Sequence, residues 1–106
     1  MRAPISESKK DEQLRIVEEQ KQYYSNTMDR FERFCVVCYP NDTIFGVTVH
    51  EVEPRSKHPK DWWLIPDNGC PLCVVHHDYV HTLSLEDGIR FCRENMARCL
   101  QGLGKS

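Results

Sequence analysis

The sequence predicts an α+β fold: a small core threaded by Cys and His residues, held between a long N-terminal helix and a C-terminal helix. Three observations predict it. Apolar residues recur at helical spacing near both ends of the chain. A β-branched run, Ile44 to Val52, lies between them. Two C-x2-C pairs, Cys35/Cys38 and Cys70/Cys73, bracket that run, and His76, His77 and His81 follow the second. A chain of 106 residues is one domain by default. Within it, residues 1–34 form a tail and amphipathic helix, 35–83 the Cys/His core, and 84–106 the C-terminal helix and tail.

Residues 1–6 read as a loose tail. Ser6 or Ser8 is the expected cap of a helix running from about Glu7 to Arg33. Leu14, Val17, Tyr24, Met28 and Phe31 form its apolar stripe, interrupted by Lys21. The helix either packs on its own domain or, the stripe being narrow, forms the seam of a homodimer. Tyr39-Pro40-Asn41-Asp42 is a turn, and Ile44 to Val52 a strand. Glu53 to Pro66 is a loop with three prolines, and a second strand is expected near Gly69 to Leu72. A helix from Val74 to about Leu83 sets His77 and His81 one turn apart. Ser84 caps the last helix, with Glu86 and Asp87 in its first turn. Leu85, Ile89, Cys92, Met96 and Leu100 are its apolar stripe, so Cys92 and Cys99 read as packing residues.

A net charge of -2 argues against binding nucleic acid by bulk charge, leaving a local basic patch and a metal. Met1 to Lys21 is polar, without a signal segment, and no apolar run is long enough to span a membrane. A reducing, cytoplasmic setting is therefore expected, where paired cysteines bind metal rather than form disulfides. A core this small gains from a structural metal.

Two pairs of soft ligands are the spacing of a structural zinc. Cys35 and Cys38 are the first pair. The second is open: Cys70 with Cys73 makes a four-Cys site, and Cys73 with His76 a three-Cys, one-His site. The latter is preferred, because it sets both ligands at the start of a helix with His77 facing another way. His50, on the strand, with His77 and His81 makes a three-His site with open positions. Such a site suits a catalytic Mg2+, Mn2+ or Zn2+ ion holding a phosphate oxygen. Glu51 points to the opposite face of a regular strand and needs a twist or bulge before Pro54 to join it. The Asn68 amide can orient the loop. Arg55, Lys57, His58 and Lys60, followed by Trp62 and Trp63, suit phosphate contact with stacking, unless the Trp pair belongs to the core. Arg90, Arg93 and Arg98 give the last helix a basic face that either tracks a backbone or is solvated.

This ordered set resembles the HNH endonucleases, the ββα-metal nucleases. Cys35 and Cys38 match the family's first pair. Val49-His50-Glu51-Val52-Glu53-Pro54-Arg55-Ser56 matches its first block and Asn68 its middle Asn. Leu72-Cys73-Val-Val-His76-His77 with His81 matches its last block. The resemblance covers about half the chain. It implies a zinc-bound ββα-metal core that hydrolyses DNA phosphodiesters with a divalent ion. His50, His77 and His81 would be its ligands, Asn68 would fix the catalytic loop, and Cys73 with His76 would complete the zinc site. Glu51 stands where the family usually has its general-base His, and His58 is the alternative base. If the base is lost, the resemblance implies a non-catalytic module that binds nucleic acid or protein. Small free-standing members of the family are common in phages and mobile elements.

Overall fold

Only five residues on each side pair as strands, yet that pairing sets the position of every candidate ligand. The computed structural model describes residues 3–105, with side chains from residue 9 onward. The elements are α1 (Ala3–Arg30), β1 (Val47–Glu51), β2 (Gly69–Cys73), α2 (Val74–His81) and α3 (Leu85–Gly102). This is a small α+β chain of three helices and a two-stranded antiparallel sheet, a layout compatible with ββα. The register pairs Val47 with Cys73, His50 with Cys70, and Glu51 with Gly69.

Cross-strand partners point to the same side of a sheet. Gly69 faces α1: a Cβ there would come within 2.7 Å of Thr27 Cγ2 and 2.9 Å of the Tyr23 hydroxyl. Glu51, its partner, faces α1 too. His50 and Cys70 face the opposite side, where α2 and α3 lie. Phe31, Val36, Val52, Leu72, Val80, Cys92, Met96, Cys99 and Leu100 form the buried core around the sheet.

Several boundaries differ from expectation. α1 begins at Ala3, so Ser6 and Ser8 lie inside the helix rather than capping it. It ends at Arg30, three residues early, because Glu32 and Arg33 take left-handed φ angles of 50° and 64° and turn the chain back. Phe31 is fully buried just past that end. The stripe on α1 is only half used: Tyr24 and Met28 are half-buried, whereas Leu14 is 65% and Val17 44% exposed. β1 starts at Val47, leaving Ile44 and Phe45 exposed before it. α3 is capped as expected, the Ser84 hydroxyl accepting the Asp87 N–H at 3.1 Å. Cys92 and Cys99 are fully buried. Lys105 returns to the C-terminal end of α1 and donates to the Asp29 and Arg30 carbonyls, where a cation opposes the helix dipole.

Two candidate metal centres

Cys35 and Cys38 lie on a tight turn between α1 and β1. The Val36 N–H donates to the Pro71 carbonyl at 3.0 Å, tying that turn to β2. Cys73 ends β2, and His76 follows in the first turn of α2. One ligand atom from each of these four residues lies within 4.8 Å of the others. His76 Nδ1 is 3.1 Å from Cys73 Sγ and 3.6 Å from both Cys35 and Cys38 Sγ, and Cys38 and Cys73 Sγ are 3.9 Å apart. A tetrahedral zinc with ordinary Zn–S and Zn–N bonds spaces its ligand atoms about 3.5–3.8 Å apart. The cluster therefore fits such an ion. Burial pushes the Cys38 thiol up to about 11, partly offset by a hydrogen bond with Thr43. Cys73 moves the other way: burial raises it, but a backbone hydrogen bond at His76 and contacts with Cys38 and Cys35 more than offset this. Cys70 is not part of the cluster. It is fully buried on the other face of the sheet, and its thiol is pushed up by a hydrogen bond with Cys92 and by burial.

Arg98 was expected to lie on a basic face. Instead its guanidinium donates to the carbonyls of Val36, Val37 and Tyr39, clamping the Cys35–Cys38 turn onto α3. Arg90 pairs with Asp87 and Arg93 with Glu53, so the positive charges of α3 are engaged within the protein.

The second centre lies on the opposite face of the sheet from α1. His50, His77 and His81 bring one ring nitrogen each within 4.8 Å of the others, with His77 and His81 Nε2 atoms 3.4 Å apart. Tetrahedral nitrogen ligands of one ion sit at about that separation. Burial, then the neighbouring His77 and His81, lower the His50 pKa, keeping it neutral as a ligand must be. A cavity of about 170 Å³ opens beside the triad, lined in part by His50, Pro54, His81, Leu85 and Ile89.

Glu51 does not join the triad. Alternation sends it toward α1, where its carboxylate accepts from Arg55 Nε at 2.7 Å. The Arg55 guanidinium also donates to the Tyr24 hydroxyl and stacks 3.8 Å above the Trp62 ring. Burial works against the Arg55 charge, but Glu51 holds its pKa above the ordinary value. Burial and the Glu51 carboxylate both raise Tyr23 and Tyr24. Trp62 is 6% exposed, so this ring belongs to the core. Trp63 Nε1 donates to Glu19 of α1. Lys57 and Lys60 remain exposed on the loop. His58 sits 3.2 Å from Glu53, not in the triad.

Asn68 bridges the two ends of the segment between Glu53 and Trp62. It is 1% exposed, accepts the Glu53 N–H at 2.7 Å, and donates to the Glu53 and Trp62 carbonyls at 3.2 Å. The Arg98 clamp and the Glu51–Arg55–Trp62 stack were not legible as motifs. Their one local signal is the four-residue spacing of Glu51 and Arg55. No family model matches the chain, and neither curated proteins nor solved structures give a significant match.

Proposed function

We propose that the chain is a metal-dependent phosphodiester hydrolase of the HNH type, acting on DNA, with a structural zinc held by Cys35, Cys38, Cys73 and His76. The observation that carries this reading is the convergence of His50, His77 and His81 at ligand spacing on the cavity side of a strand–strand–helix unit. A divalent ion held there would supply Lewis-acid chemistry to a phosphodiester. His50 and the α2 histidines hold the ion. Asn68 holds the loop that follows β1, and Lys57 and Lys60 offer exposed charges to the phosphate backbone. Glu51 can act as base only after its carboxylate leaves Arg55 and comes round the strand end at Pro54.

That pairing favours a second reading, a zinc-stabilised module that binds DNA or protein without cutting. Plasmid nicking in Mg2+, Mn2+ and Zn2+ separates the two. The hydrolase reading expects nicking that is lost in His77→Ala and rises in Glu51→His. Equal nicking in wild type and His77→Ala would remove the triad from the reaction. Absence of nicking with every ion, in protein that retains zinc, would leave the binding module.

A further inference from the structure

The two centres share one very short helix. α2 has eight residues, and four of the seven proposed ligands lie on it or at its cap: Cys73 and His76 for one centre, His77 and His81 for the other. Helices this short are unstable alone, because too few hydrogen bonds follow the costly first turn. α2 lacks the usual aids. Its N-cap, Cys73, makes no side-chain cap hydrogen bond, its first turn holds no acidic residue, and Val80 is its only buried residue. Val80 and the Tyr79–Phe91 contact hold it to the protein, Thr82 caps its end, and an ion on the proposed ligands would add a further constraint on its rotation.

His76 and His77 are adjacent, so their side chains leave the helix about 100° apart. Fixing His76 on Cys35, Cys38 and Cys73 fixes where His77 and His81 point. β2 reinforces the link, since Cys73 pairs with Val47 and, three residues along the same ladder, Cys70 pairs with His50. His77 and His81 lie one helical turn apart with their Nε2 atoms 3.4 Å apart, so an ion held by both would tie that turn together.

We infer that occupancy of the Cys35/Cys38/Cys73/His76 centre sets the ion affinity of the His50/His77/His81 centre, and the reverse. Zinc in the first centre orders α2 and so licenses the second. The inference rests on the two-centre reading above. Coupling of this kind is reciprocal and typically about 5- to 150-fold.

Co2+ titrated into zinc-loaded protein, followed by calorimetry, is the first measurement. Co2+ affinity should fall by at least about fivefold in Cys38→Ser protein stripped of zinc. Loss of zinc can unfold the chain, so the reverse direction is tested in folded protein. Here the readout is the rate at which an aromatic disulfide reagent modifies Cys35, Cys38 and Cys73 in zinc-loaded protein. Co2+ should slow modification at least about fivefold, and His77→Ala/His81→Ala should remove that protection. Co2+ that binds the wild type yet leaves the modification rate unchanged overturns the coupling alone. A wild type that takes up no Co2+ beside its zinc overturns the two-centre reading and the coupling with it.

Discussion

Asn68 carries a test of how the loop after β1 is held. Its amide makes three hydrogen bonds at 1% exposure, two of them to Glu53 and one to Trp62. Each is worth about 0.5–1.5 kcal/mol net, and orphaning buried backbone groups moves the total toward the upper end. Asn68→Ala should therefore cost about 2–4 kcal/mol, a large share of the roughly 5–15 kcal/mol that keeps a domain folded. Asn68→Asp keeps the acceptor but turns an anion toward two carbonyls. It should cost at least as much at neutral pH, where the carboxylate has no proton to donate. Urea unfolding of zinc-loaded protein, followed by Trp fluorescence, measures both. Trypsin cleavage after Lys57 or Lys60 reports whether the loop has come loose. A loss below about 1 kcal/mol with unchanged cleavage would show that the amide does not pin the loop, and the reasoning would fail.

Gly69→Ala should drive a methyl group into Thr27 and cost about 1–3 kcal/mol, with partial rescue by Thr27→Ala in the same urea assay. Arg98→Ala should loosen the Cys35–Cys38 turn, so zinc passes to a chelating dye faster than from wild type; an equal rate would leave the clamp without a role in metal retention. Leu72→Ala empties a fully buried site and should cost about 2–5 kcal/mol. Arg33→Gly relieves a left-handed residue and should raise the melting temperature, the lost Asp29 pair being exposed and weak.

Elements with a strong local pattern were legible. The Ser84 cap and the stripe beneath Cys92 and Met96 predict α3 closely, because cap and stripe are both local. The two side-chain clusters were legible because spacing along a helix or knuckle converts directly into distance; the geometry groups His76, not Cys70, with Cys35, Cys38 and Cys73. What failed depends on tertiary context. Leu14 and Val17 look like core on a helical wheel, but the rest of the chain is too small to cover them. The sequence left the Trp pair open between core and nucleic-acid contact; Tyr23 and Tyr24, remote in sequence, pack on Trp62 and bury it, while Arg55 stacks on its ring and stays exposed. Arg98 looked like surface charge because its three carbonyl partners lie some sixty residues away.

α1 is moored at one end. Its 28 residues extend about 42 Å, and among the described side chains the contacts that hold it, through Tyr23, Tyr24 and Thr27, belong to its second half. Heat should therefore unwind it from around Leu14 toward Thr27, before the sheet and its Cys/His clusters give way. Far-ultraviolet ellipticity would then decline gradually at temperatures where Trp62 still reports a folded core. Backbone amides near Leu14 would exchange with solvent long before those near Thr27. A melting curve read from helicity alone would understate the stability of the part that carries the Cys/His clusters.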